Sequence, residues 1–174
     1  MTPVLDTPRL IVRAHRPDDF DAYCALWADP DVVRFIGGAV FSREACWSRF
    51  LRHAGHWHHL GFGFLAVEDR ETGRFVGEAG FHEMRRELAP SIEGTLEAGW
   101  ALMPAFHGHG YGFEAMRALV GWADEAFPGR RMTAIIEPDN APSIRVARRL
   151  GFSAFADTVY HGVPVTLFER PPAE

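Results

Sequence analysis

The chain has 174 residues, 47% of them hydrophobic and 24% charged, which suits one domain with a sizeable core. All 18 basic residues are Arg, which excludes a Walker-type phosphate loop and Schiff-base chemistry, because both need a lysine amine. A net charge of −5 speaks against a general nucleic-acid binder, Cys24 and Cys46 are too few for a disulfide framework, and no apolar run reaches membrane-span length.

Residues 9–14 (RLIVRA) read as a short strand. Pro17 opens a helix whose N-terminal end is favoured by Asp18 and Asp19, with Phe20, Tyr23, Cys24 and Trp27 on one apolar face and Asp29-Pro30 as its stop. Ser42 can cap a second helix, in which Cys46, Phe50, Ala54 and Trp57 recur on one side and Gly61 closes the end. Residues 62–69 and 74–82 are strand-like runs about a Glu71-Thr72-Gly73 turn, residues 83–94 a polar loop, and residues 95–103 a further strand. A glycine-rich run then feeds a helix whose Met116, Leu119, Val120, Ala123 and Phe127 share a face, stopped by Pro128-Gly129. Residues 131–137 are a strand, residues 140–150 a helix closed by Gly151, and residues 152–160 and 163–170 a hairpin about His161-Gly162, before a frayed tail at 171–174. With no repeat or linker, residues 1–174 make one α/β (α+β) domain. Consecutive strands imply an antiparallel part, and the strand–helix–strand after Thr95 a parallel crossover. The first twenty residues carry no secretory pattern, and a reduced, cytoplasmic protein is expected, with neither nucleic acid nor a membrane as partner.

The most informative segment is His107-Gly108-His109-Gly110-Tyr111-Gly112 followed by Phe113. Glycines at alternate positions leave backbone N–H groups unshielded at a helix N-terminus, an arrangement suited to phosphate or pyrophosphate. Gly110-x-Gly112-x-x-Ala115, with Glu137 further on, formally matches a dinucleotide fingerprint. Against that, Gly110 lies seven residues beyond Met103, and only 37 residues follow Glu137, too few for the second half of a doubly wound domain.

The loop instead resembles the acetyl-CoA signature Q/R-x-x-G-x-G/A of the GNAT superfamily of N-acetyltransferases, with His107 in place of the Gln or Arg. The RimJ/RimL-type branch is resembled in particular. Residues 7–13 (TPRLIVR) are similar to its opening strand, residues 29–36 (DPDVVRFI) to the segment after its first helix, and residues 98–104 (AGWALMP) to its G-Y-W-L-x-P strand. Asn140-x-x-Ser143 followed by Arg149-Leu150-Gly151-Phe152 is similar to its N-x-x-S…K-L-G-F block. The resemblance implies a GNAT-like, mixed and mostly antiparallel seven-stranded sheet, about four flanking helices, and a splay between the fourth and fifth strands. It implies acetyl-CoA as cosubstrate, with its pantetheine arm in the splay and its pyrophosphate on the amides of Gly108, Gly110, Tyr111, Gly112 and Phe113. Trp100, Leu102, His107, Asn140 and Ser143 complete the implied cofactor contacts. No metal is implied, and a homodimer is a family expectation.

Acetyl transfer to an amine needs a proton acceptor and stabilisation of the departing thiolate. In residues 95–103, Leu96, Ala98, Trp100 and Leu102 alternate onto a core face, and Thr95, Glu97, Gly99, Ala101 and Met103 onto an open one. Glu97 is therefore read as a general base acting through water, its pKa raised by partial desolvation, with Glu78 and His82 as reserves. The place of the superfamily's usual Tyr acid holds Ala147. The RimJ/RimL-type Ser is matched by Ser143, where a helix N-terminus favours a thiolate. The expected acceptor is a protein N-terminus or a small-molecule amine, and the acidic net charge suits a cationic one. A non-catalytic CoA-binding sensor is the alternative function. His53, His56, His58 and His59 have i, i+3 spacings but no nearby Cys or acidic partner, which favours lining or surface histidines over a metal site.

Overall fold

The computed structural model describes residues 2–172, so Met1 and the last two residues of the expected frayed tail lie outside it. The alternating segments become β1 (Leu5–Asp6), β2 (Leu10–Arg13), β3 (Phe64–Asp69), β4 (Phe75–His82), β5 (Leu96–Leu102), β6 (Met132–Ile136), β7 (Ser153–Tyr160) and β8 (Val163–Arg170). They form one sheet in the order β1-β2-β3-β4-β5-β6-β8-β7. Each neighbouring pair is antiparallel except β5 and β6. The helices are α1 (Phe20–Trp27), α2 (Pro30–Val33), α3 (Arg43–Leu60), α4 (Tyr111–Ala126) and α5 (Ala141–Arg149).

Among the described residues, eight strands and five α-helices stand where seven strands and about four helices were expected. Both additions are too short to show periodicity. β1 is a two-residue strand, paired at Leu5↔Val12 and Asp6↔Ile11. In α2, Asp29-Pro30 is a start as well as a stop: the Asp29 side chain accepts from the Asp31 N–H, and Pro30 opens the first turn.

The two faces of the sheet bury different sets. On one, Met116, Leu119, Val120 and Ala123 of α4 pack with Leu65, Val67, Ala79, Phe81, Leu96 and Ala98, joined by Ala147 and Leu150. On the other, Tyr23, Leu26, Trp27, Val32, Val33, Cys46 and Phe50 pack around Ala101. β5 therefore serves both layers by simple alternation. Each fully buried large apolar side chain contributes about 1.5–3 kcal/mol, before the opposing chain entropy.

The feature that shapes the site is the short life of the one parallel pairing. β5 and β6 meet only at Leu96↔Met132 and Glu97↔Thr133, with the Thr95 and Thr133 hydroxyls 2.7 Å apart at the root. Beyond that point the strands part, as the resemblance implies for the fourth and fifth expected strands.

The approach to α1 is anchored by charge. Arg13 donates two hydrogen bonds to Asp19, at 2.7 and 2.8 Å, and a third to Glu68 at 2.8 Å. The Arg13 and Asp19 side chains are both nearly sealed from solvent. Removing Asp19 leaves the buried Arg13 with Glu68 as its remaining carboxylate. Asp19→Ala is therefore expected to lower the unfolding free energy by about 1.5–3 kcal/mol, the range for lost hydrogen bonds to a charged group, read as a shift of the urea midpoint. A loss below about 1 kcal/mol, the range of an exposed pair, would show that the pair does not anchor the helix.

Candidate active site

Two cavities open where β5 and β6 diverge. The first, of about 410 Å³, is lined by Glu97, Glu78, His82, Arg86 and Tyr160 among others. The second, of about 480 Å³, is lined by Leu102, His107, Gly108, Gly110, Tyr111, Gly112 and Phe113. Trp100, Asn140 and Ser143 border both. The structure thus brings every expected catalytic and cofactor-contact residue to the lining of one or both of these adjoining cavities.

In the second cavity the glycine loop delivers the N-terminus of α4. No side chain caps this helix, whose N-cap is Gly110 in the left-handed region at φ 79°. Gly108 is left-handed too, at φ 76°, and a Cβ built on it meets no atom within 4 Å. The first-turn amides are therefore unshielded donors at the positive end of a 16-residue helix. Glu114 lies in that first turn, but its carboxylate turns away to accept from the Thr7 hydroxyl (2.7 Å), the Arg9 backbone N–H (2.9 Å) and Arg9 Nε (2.6 Å). Arg9 also donates to the His109 carbonyl at 2.8 Å, tying the loop to the start of β2. His107 Nε2 lies 2.7 Å from the Leu102 carbonyl. A carbonyl only accepts, so Nε2 carries the proton and the ring pins the loop to the end of β5.

Asn140 caps α5, its side-chain oxygen accepting from the Ser143 N–H at 3.2 Å. That bond sets the Ser143 hydroxyl at the junction of the two cavities. Ala147, at the place of the superfamily's usual Tyr, is fully buried in the core.

In the first cavity Glu97 is buried, but not as the sequence reading expected. Arg86 donates to both its oxygens, at 2.7 and 2.8 Å, and His82 Nε2 lies 2.8 Å from Oε1. Desolvation would raise the carboxyl, but His82 and Arg86 outweigh it and hold its pKa at about 2. The expected upward shift is thus reversed, because burial came with a bidentate cation. Ionised Glu97 only accepts, so His82 Nε2 is the donor. This leaves Nδ1 as the ring's unprotonated nitrogen when the imidazole is neutral.

The acetyltransferase (GNAT) domain profile matches residues 9–153. The chain belongs to the GNAT acetyltransferase family. It is 26% identical over 149 residues to N-acetyltransferase p20 of Bacillus licheniformis, covering 85% of this chain and 81% of that one. A solved structure from Bordetella pertussis, assigned to the same family, is 33% identical with a TM-score of 0.87, covering 97% of this chain and 99% of the other. RimL, a ribosomal L7/L12 α-N-protein acetyltransferase solved with coenzyme A, shares the fold at a TM-score of 0.79 and 18% identity, with 97% and 98% covered. As a GNAT protein the chain is an N-acetyltransferase.

A second buried carboxylate sits beneath the GNAT cleft. Glu78 Oε2 lies 2.9 Å from His53 Nε2 and 3.4 Å from His15 Nε2, while Oε1 lies 3.6 Å from Arg49. Burial opposes its charge, but His53, His15 and Arg49 prevail and hold it well below the ordinary carboxylate range. His53 is pushed down, by desolvation first, with Glu78 offsetting part of it. The ligand-type atoms of His15, His53 and Glu78 lie within 4.8 Å of one another. The two imidazoles, however, are stacked 4.6 Å apart with planes 5° from parallel. Their lone pairs therefore run side by side rather than converging on one point. Arg49 takes the position of a counter-charge, so the set is built as a charge cluster rather than a metal cage. The other expected histidines scatter: His56 reaches the Glu83 carbonyl at 3.4 Å, and His58 and His59 are exposed.

Arg9, Arg49, Arg86 and Tyr160 were not among the site residues found from sequence. Arg86 lies in the polar loop and Tyr160 at the end of β7, yet Arg86 donates to the Tyr160 hydroxyl at 3.0 Å. Nothing local in either segment marks that meeting.

A depressed folded-state pKa gives stability that is present above the unfolded value and lost as pH falls through the folded one. The contribution of Glu97 should therefore be complete above pH 4.5 and vanish on approaching pH 2. Glu97→Gln is expected to cost about 3–5 kcal/mol at pH 7 by leaving Arg86 buried without its partner. It should also flatten the fall in unfolding free energy between pH 4.5 and 2, as read by denaturant titrations across that range.

Proposed function

We propose that the protein moves an acetyl group from acetyl-CoA directly to a primary amine, in the manner of the RimJ/RimL-type branch. The observation that carries the reading is the meeting of the two cavities at Trp100, Asn140 and Ser143. One cavity offers an uncapped helix N-terminus for phosphate, and the other a charged, partly aromatic chamber for an acceptor. Acetyl-CoA, when bound, supplies a thioester carbonyl and a thiol leaving group. The chain supplies the remainder. The amides of Gly108, Gly110, Tyr111, Gly112 and Phe113 would hold pyrophosphate, consistent with the open space on the Cβ side of Gly108. Leu102 and Trp100 would flank the arm within the splay, and His107 would fix the loop rather than contact phosphate by its side chain.

An amine arrives mostly protonated and must lose a proton to react. Glu97, held ionised by Arg86, is a weak base by itself but a strong orienting acceptor for His82. In this reading His82 Nδ1 takes the proton and Glu97 stabilises the imidazolium that results, the division of labour of a carboxylate–imidazole pair. The Ser143 hydroxyl, in the first turn of α5, would donate to the departing sulfur with the helix dipole behind it. The acceptor class of RimL, a protein N-terminus, and small-molecule amines both fit this scheme.

Thiol release from acetyl-CoA against an amine panel tests the reading. Turnover should fall about 10²–10⁴-fold in kcat for His82→Gln and for Glu97→Gln, at similar CoA affinity. Gly110→Val, which forces a branched side chain into the left-handed region, should instead weaken CoA binding by at least about tenfold. CoA binding without transfer to any amine would overturn the catalytic reading and leave a binding module.

A further inference from the structure

Three arginines and three carboxylates line the first cavity, and they do not cancel evenly in space. Arg49 stands against Glu78, and Arg86 is bidentate on Glu97. Two charges remain. Among the described residues, neither Arg52 nor Glu137 has an ion-pair or hydrogen-bond partner for its side chain. Arg52 projects from α3, and Glu137 follows the end of β6, where its carbonyl accepts from the Asn140 N–H at 2.9 Å.

We infer that the acceptor is a small amine that also carries an anionic group, a carboxylate or a phosphate, and that Arg52 binds this group. The inference rests on the transferase reading of the cleft and narrows its substrate class. Arg52 is exposed overall, so a ligand can reach it, while part of its guanidinium is desolvated. That desolvation, and then the field of neighbouring Arg49, hold its pKa below the ordinary value. An incoming anion relieves both the repulsion and the missing hydrogen bonds, and a guanidinium fork matches carboxylate and phosphate oxygens. The phosphates of CoA are not the intended anion. The glycine loop belongs to the second cavity, along with Arg145 and Arg149, whereas Arg52 lines only the first. Glu137 provides the complementary charge for an ammonium, so the cavity presents the two unpaired signs that a zwitterion would match. The net charge of −5 pointed to a cationic acceptor, but α3 brings Arg49 and Arg52 to the cavity wall, and Glu78 faces Arg49 alone of the two.

The test reads binding and transfer separately. The protein saturated with CoA is titrated calorimetrically with matched amines: glutamate and its α-carboxamide, 2-aminoethyl phosphate and ethanolamine, spermidine, and a short C-terminally amidated peptide with a free N-terminus. The same amines are then assayed for thiol release with acetyl-CoA. An anionic member is expected to bind at least about tenfold more tightly than its neutral partner. The two matched pairs distinguish a carboxylate from a phosphate. Arg52→Gln should bring that ratio close to one, and Arg52→Lys should keep part of it, since the charge survives without the fork. The inference is overturned if spermidine, the peptide or the neutral partners bind as well as the anionic amines. It is also overturned if Arg52→Gln leaves the ratio unchanged, or if no anionic amine binds. Arg52-dependent binding without any transfer would instead count against the transferase reading alone.

Discussion

The cleft depends on where two strands stop sharing hydrogen bonds. β5 and β6 pair for two residues and then part, yet neither strand is left without a partner. β5 stays bonded to β4 from Gly77↔Leu102 to His82↔Glu97, and β6 to β8 from Met132↔Arg170 to Ile136↔Thr166. Each gives up its weaker, parallel neighbour and keeps its antiparallel one. The separation therefore sacrifices few interstrand bonds, and it exposes main-chain donors and acceptors along both inner edges. Into that gap come the N-terminal ends of α4 and α5, one with unshielded amides and the other with Ser143.

The second constraint is electrostatic. Glu78 and Glu97 are both nearly inaccessible, and each is surrounded by an arginine and at least one histidine. A lone carboxylate at such depth would be pushed toward its neutral form. The paired cations reverse this, so both carboxylates stay ionised within the cavity wall. An ionised carboxylate so paired orients the imidazole beside it but is a weak base. In the proposed mechanism the exchangeable proton is therefore assigned to His82 rather than to either carboxylate, and Arg52 is left as the cation of this cavity without a carboxylate partner among the described residues.

The glycine loop shows local sequence and long-range contact working together. Its backbone conformation follows from the glycines, whereas its placement follows from Arg9, 100 residues before His109 and 105 before Glu114, which holds Glu114 and the His109 carbonyl together. Tyr111 contributes its ring beneath the same guanidinium, at 4.3 Å.

Features written in short-range pattern were legible in the sequence: the helix cap at Ser42, the stop at Gly61, the glycine-rich turn before α4, and the alternation that set Glu97 opposite Leu96 and Ala98. Each depends on neighbours within about four residues, so the order of residues was enough. The state of Glu97 was not legible, because Arg86 reaches it from a loop with no periodicity and is itself held by Tyr160 from the far edge of the sheet. Nor was the fate of His53, which leaves its sequence neighbours to stack on His15. By itself the sequence determined the longer elements, the glycine-rich turn before α4 and the family resemblance, while β1 and α2 were too short to show in it. Only the tertiary structure decided which charges are paired, which ring nitrogen of His82 faces Glu97, and which arginine lines the cavity without a partner. Those outcomes depend on distances of a few ångströms between segments far apart in the chain, and no spacing along the sequence encodes them.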